Sequence, residues 1–182
     1  MKRQTGFTLT ELMVVTAVVA ILLGIGVPSY RYVTNSYRMS AEVNGLLGDL
    51  QYARSEAIKE GQTVSTCVST NGTACTGGTA WASGWIVFSD PDGDAVVDAG
   101  ETVLRVQSAF AGSVPDTFNA TANVTAITYN REGFARTAAG FVTTTISLQD
   151  STNNAAWRRC LVIAAATPLS AQTHTMNPGA CP

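Results

Sequence analysis

Residues 6–27 read G-F-T-L-T-E-L-M-V-V-T-A-V-V-A-I-L-L-G-I-G-V. Apart from Glu11 the stretch is uncharged, and it approaches the roughly 20 residues a helix needs to cross a bilayer core about 30 Å thick. A carboxylate near the start of such a segment is expensive in hydrocarbon unless it finds a partner or snorkels to the interface. The signals around it are not in the order of an ordinary secretory peptide. The basic start M-K-R-Q-T-G lies directly before the apolar run, and no A-x-A-like site follows Val27, where secretory cleavage would fall. The small residue at a natural boundary is Gly6. Cleavage after it removes a leader, residues 1–6, and keeps the apolar helix. Lys2 and Arg3 hold that leader on the cytoplasmic side.

The remainder of the 182-residue chain is polar and rich in Thr, Ser, Ala and Gly, although apolar residues make up 46% of the whole and charged ones only 13%. One membrane anchor and one exported domain account for that balance. Pro28 follows the apolar run, with Gly24 and Gly26 just before it. Proline kinks a helix and glycine weakens one, yet helical periodicity resumes. Val43, Leu46, Leu47, Leu50, Ala53, Ala57 and Ile58 recur at three- and four-residue spacing, as one apolar face does. Gly61 is placed as a C-cap. The expectation is one long, bent helix from Phe7 to about Glu60, roughly 80 Å at 1.5 Å per residue. Residues 7–28 form its membrane-spanning or filament-core half, and residues 29–61 its amphipathic half.

After Gly61 the period changes. T-V-S-T-C-V, G-W-I-V-F, T-V-L-R-V, A-I-T-Y-N, T-T-T-I-S-L and R-C-L-V-I-A read as strands. N-G-T, T-G-G-T, D-P-D-G-D, R-E-G and S-T-N-N between them are turn chemistry. Residues 62–182 are thus expected to be a β-rich head, and the fold α+β, with an antiparallel sheet packed on residues 29–61.

Four cysteines, Cys67, Cys75, Cys160 and Cys181, behind an export signal suggest two disulfides. Three pairings are open, and sequence spacing does not choose among them. The favoured one joins Cys67 to Cys75 in a short loop and Cys160 to Cys181 at the C-terminus. Zinc is the weaker reading, because there is no C-x-x-C and His174 lies far from any Cys pair in sequence.

The stretch G-F-T-L-T-E-L resembles the prepilin signature of type IV pilins and type II secretion pseudopilins, with Gly6, Phe7 and Glu11 at its diagnostic positions. The resemblance implies cleavage between Gly6 and Phe7 by a prepilin peptidase, followed by N-methylation of Phe7. It also implies that Glu11 pairs with the N-terminal amine of a neighbouring subunit during filament assembly. Leu50–Gly61, Gly84–Asp90, Asp98–Val106 and Arg158–Ile163 are similar to the GspH/FimT type of minor pilin. Residues 107–123 and 166–182 match that type least. The implied function is a structural subunit of a type IV pilus that helps to assemble or prime it, near its tip. Its implied partners are other pilin subunits, the peptidase and, before assembly, the inner membrane, with the head in the periplasm. Two other functions remain: a minor subunit of a type II secretion pseudopilus, and a pilus-tip DNA receptor.

Three chemistries compete with this structural role. Asp90, Asp92, Asp94, Asp98 and Glu101 fall at positions 1, 3, 5, 9 and 12 of an EF-hand-like calcium loop. Position 6 is Ala95 where such loops place glycine, and strand-like segments flank the loop instead of helices. The competing reading is a solvated hairpin whose Asp side chains cap turns, so no cofactor is expected, with calcium as the alternative. DNA binding needs clustered cations. Loss of Lys2 and Arg3 lowers Lys+Arg from 11 to 9 against 13 Asp+Glu, leaving Arg158, Arg159, Arg131 and Arg136 as candidates. Catalysis is not expected: His174 has no G-x-S-x-G nucleophile, and phosphate-loop and metalloprotease motifs are missing from the sequence.

Overall fold

The fold was described from a computed structural model covering residues 6–110, 116–120, 123–138, 140, 143–165, 169–173, 175–176 and 181. Lys2, Arg3 and His174 lie outside these described residues. Helix α1 runs from Leu9 to Glu60, through Pro28. It ends where the sequence places the cap. Gly61 takes φ +68° and donates its N–H to Ala57 O at 3.0 Å, the left-handed exit that only glycine adopts without strain.

The chain divides into two compact units, Met1–Arg38 and Met39–Pro182. The apolar part of α1 in the first unit has a window of mean hydropathy 2.4 with none of its side chains buried.

In the second unit, α1 presents Met39, Val43, Leu46, Leu50, Ala53 and Ala57, each no more than 1% exposed. This alternating three- and four-residue stripe faces two antiparallel sheets. The first sheet has the order β3-β2-β1-β5-β6, comprising Val103–Ser108, Gly84–Ser89, Val64–Val68, Ala126–Tyr129 and Ala135–Arg136. The second has the order β4-β7-β8-β9, comprising Thr117–Ala120, Thr144–Gln149, Arg159–Ile163 and Ser170–Thr173. Val64, Val68, Trp85, Val87, Ile127 and Tyr129 of the first sheet share one core with Ile146, Leu148, Leu161 and Ile163 of the second. Trp85, Phe110 and Phe118 join them through ring contacts of 5.9–6.5 Å, in the separation range where aromatic pairs attract.

Every residue of β1 is buried, because both faces of the first sheet are covered at its centre. Val64 and Val68 face the core shared with α1. Cys67 packs on the opposite face with Ile86 and Phe88, against Cys75, Val97 and Val103. The disulfide loop and the β2–β3 connection are therefore the roof of a second, smaller apolar layer.

Candidate functional site

At the start of α1 the opening motif makes a reciprocal cap. Glu11 N donates to Thr8 Oγ1 at 3.2 Å, and Thr8 N donates to Glu11 Oε2 at 3.4 Å. This is the S/T-x-x-E capping box, legible as T-L-T-E, in which both side chains satisfy backbone donors of the first turn. In the sequence Glu11 is conspicuous by its charge, whereas Thr8 carries no such signal. Gly6 and Phe7 precede the helix, and both are exposed.

The disulfides Cys67–Cys75 and Cys160–Cys181 are formed, with Cα separations of 5.6 and 5.4 Å. The first closes the loop that roofs the smaller core. The second fixes Cys181 against β8, where Cys160 is fully buried.

The acidic segment is the connection between β2 and β3, so its flanks are strands. The carboxylate oxygens of Asp90, Asp92 and Asp94 lie within 4.8 Å of one another. Asp98 and Glu101 stand outside that group and close the far end of the loop, where Asp98 N donates to Glu101 Oε2 at 2.9 Å. Asp90 is fully buried and heavily bonded. Its Oδ2 accepts from the Ser65 hydroxyl and from Ala95 N at 3.1 Å, and its Oδ1 from Gly93 N at 2.8 Å. Ser65 in turn shares a hydrogen bond of 2.6 Å with Thr128 on β5. Burial raises the Asp90 pKa above the usual carboxylate value, the Ser65 hydroxyl opposes it, Asp92 reinforces it, and the Ala95 and Gly93 amides pull it back. Ala95, at EF-hand position 6, takes φ +62°. The backbone turn that glycine serves in that motif is made here by alanine at some strain.

The four candidate arginines do not come together. Arg136, on β6, donates from Nη2 to Gly93 O at 2.8 Å, so its guanidinium is seated against the acidic loop. A Cβ on Gly93 would lie 2.0 Å from that nitrogen. Arg131 pairs with Glu132 at 2.9 Å. On the second sheet, Arg158 donates to Asn153 Oδ1 at 2.8 Å while Arg159 reaches Ser40 Oγ of α1 at 3.4 Å. The adjacent pair in sequence is thus divided between a turn and the helix.

One connection between helix and sheet had no signal in the sequence. Asp49 accepts from Trp85 Nε1 and from Arg105 Nη1, each at 2.9 Å, and Arg105 also lies 3.8 Å over the Tyr52 ring. The three partners come from β2, β3 and α1, and only the folded topology makes them neighbours.

A long N-terminal helix that is apolar through its first half apart from the capping Glu11, and whose residues from Met39 pack on a disulfide-bonded antiparallel head, defines a pilin-class protein. The sequence comparisons agree. The prokaryotic N-terminal methylation motif matches residues 1–27, and the family described as type II transport protein GspH matches residues 42–167. The chain belongs to this GspH family. No curated protein matches it. Two crystal forms of the type IV minor pilin FimU of Pseudomonas aeruginosa share its fold, with TM-scores of 0.58 and 0.55 at 19% identity. They cover 80% and 79% of this chain and 96% and 99% of FimU.

Proposed function

We propose that the chain is a minor subunit of a type IV pilus, held in the bacterial inner membrane by residues 7–28 and then built into the filament, where it helps to assemble or prime it. The observation that carries this reading is the junction Gly6–Phe7 followed by Glu11 in an otherwise uncharged, membrane-length helix. A carboxylate in that position is tolerated when a partner neutralises it, and the pairing then sets register. The partner is the methylated amine of Phe7 on a neighbouring subunit, exposed by a prepilin peptidase. The leader stays cytoplasmic by its Lys2 and Arg3, and the head lies in the periplasm, an oxidising compartment suited to both disulfides. Membership of the GspH family supports the alternative setting, a type II secretion pseudopilus.

Two variants test this. Gly6→Val blocks processing, and the membrane-bound protein keeps the precursor's mass. Glu11→Ala is processed and inserted normally, since a costly charge has been removed, but is depleted from sheared filaments. Wild-type amounts of Glu11→Ala in those filaments would refute the assembly role.

A further inference from the structure

Three of the chain's five tyrosines, Tyr30, Tyr32 and Tyr37, lie within eight residues, directly after the apolar run. They are 71%, 52% and 74% exposed, whereas residues 8–29 contain no aromatic side chain. The other two tyrosines are used in the head, where Tyr52 lies under Arg105 and Tyr129 is buried. A phenol has an apolar ring and a polar tip, and both are satisfied where hydrocarbon meets water.

The helix itself measures where that boundary falls. From Leu9, where α1 begins, to Tyr30 is roughly 31 Å at 1.5 Å per residue, and a bilayer core is about 30 Å thick. With Tyr30 at the outer boundary, Leu9 lies at the inner one, and Gly6 and Phe7 come before it, at the membrane surface. Glu11 is then only about 3 Å inside the hydrocarbon edge, within snorkelling reach of the interface. This register presents the cleavage junction to water and removes most of the cost of the carboxylate before any neighbouring subunit is present.

Tyr30 and Tyr32 also stand on nearly opposite sides of the helix. At 3.6 residues per turn they leave it about 160° apart, and their heights differ by about 3 Å. A protein partner covers one side of a helix, whereas aromatic groups on both sides at one level suit a medium that surrounds it. Arg31 lies between them and is exposed, a cation at the height of the lipid phosphates. Tyr37 is about 10 Å further along, beyond the headgroup layer, and is not part of this level.

We propose that Tyr30, Arg31 and Tyr32 form an interfacial collar that seats in the lipid headgroup layer and sets the depth of the unassembled chain. The proposal rests on the membrane-held reading and names the lipid contact that fixes its register. The collar is continuous with the apolar span, none of whose side chains is buried by the protein.

The test uses the full-length chain in inner membranes, carrying Val27→Cys or Val33→Cys, treated from the periplasmic side with a membrane-impermeant maleimide. The native cysteines are in disulfides and do not react. Val27 and Val33 flank Tyr30 and are equally exposed in the protein, 45% and 44%, so a difference between them reports the bilayer. Only Val33→Cys is expected to be labelled. Tyr30→Leu/Tyr32→Leu extends the apolar run, draws Val33→Cys into the hydrocarbon and should abolish most of its labelling. Tyr30→Trp/Tyr32→Trp keeps an amphipathic ring and should preserve it. Equal labelling at the two positions, labelling of Val33→Cys that ignores the leucine pair, or an equal loss with the tryptophan pair would each overturn the collar. Alkaline extraction of the same membranes separates the two readings. An extracted chain overturns the membrane-held reading and the collar with it, whereas a retained chain with unchanged labelling overturns the collar alone.

Discussion

Asp49 Oδ2 accepts the indole N–H of Trp85 at 2.9 Å, and this bond fixes α1 to β2, next to the central strand of the first sheet. Trp85 is 1% exposed, so its donor has no recourse to water if Asp49 is lost. Asp49→Ala should destabilise the protein by about 2–3 kcal/mol, the sum of an orphaned buried donor and a part-exposed ion pair with Arg105. Asp49→Asn keeps an acceptor for Trp85 and loses only the charge, so about 1 kcal/mol is expected. Denaturant melts followed by tryptophan fluorescence measure both. Equal losses for the two variants would show that the indole bond contributes nothing.

Gly133 is required twice over. It takes φ +78° in the β5–β6 turn, and a Cβ there would lie 2.7 Å from Ile58 Cδ1 and 3.1 Å from Arg54 Nε. Gly133→Ala should cost about 2–3 kcal/mol, combining left-handed strain of about 1–2 kcal/mol with overpacking. Ile58 is 52% exposed, so Ile58→Ala alone should cost little. In the double variant the steric part is relieved and the backbone part remains. A double-mutant cycle with no coupling energy would mean that the turn moves away from the helix instead.

These two sites show where the sequence was legible. The apolar stripe on α1 announced itself by its spacing and six strands by composition, being rich in β-branched and aromatic residues; β7 alternates buried and half-buried throughout, β1 is buried along its whole length, and β3 buries no residue fully. The strands not foreseen are β4, β6 and β9, and all three lie at sheet edges. β4 buries one residue, Phe118, β6 has two residues, and β9 buries none, so no hydrophobic pattern marks them. Two sheets appear where one was expected, for the same reason. Glu11 stood out by its charge. Asp49, Ser65 and Thr128 did not, because their partners are 36, 25 and 63 residues away.

Buried Asp90 should make stability depend on pH in a particular direction. Burial raises its folded-state pKa above the unfolded value, so the folded protein binds the proton more tightly. The stabilisation is fully present below the unfolded value, about 3.9, and is lost as pH rises through the folded one. Glu101, also raised chiefly by desolvation, acts with the same sign. Asp90→Asn removes this contribution but sets an amide donor against the Ser65, Ala95 or Gly93 donors, so it should be less stable and show a flatter profile above pH 4. Melting curves between about pH 4 and 7 give the comparison. A wild-type slope identical to that of Asp90→Asn rules out Asp90 as its source.

Calcium should leave the loop's stability unchanged. Both Asp90 oxygens already accept protein donors, three in all, and an ion would have to displace or crowd them. Millimolar calcium is therefore expected to shift Tm by less than about 1 °C, and a chelator to do nothing. Saturation at 100 times Kd would contribute about 2.7 kcal/mol and raise Tm by several degrees. A rise of that size, abolished by Asp92→Asn/Asp94→Asn, would establish the three grouped carboxylates as a cation site.

DNA should bind weakly or not at all at physiological salt. With the leader removed, the chain has 9 Lys and Arg against 13 Asp and Glu, and its candidate arginines are dispersed. Arg131 is paired with Glu132, and Arg136 is bound to the acidic loop. Arg159 opens β8 of the other sheet with Arg158 just before it, and the two are bonded to Ser40 and Asn153 respectively. Each phosphate contact needs a cation, and affinity grows with the number made together. Arg136 donates to the backbone of the acidic loop, and that loop's carboxylates oppose the approach of a phosphate backbone. Anisotropy titration of the full-length protein with duplex DNA at about 0.15 M salt should give no saturable signal. Any binding at lower salt should fall with a shallow slope, one or two phosphates' worth. Micromolar affinity at 0.15 M salt that disappears in Arg158→Ala/Arg159→Ala would instead make the second sheet a nucleic-acid receptor, and the filament its carrier.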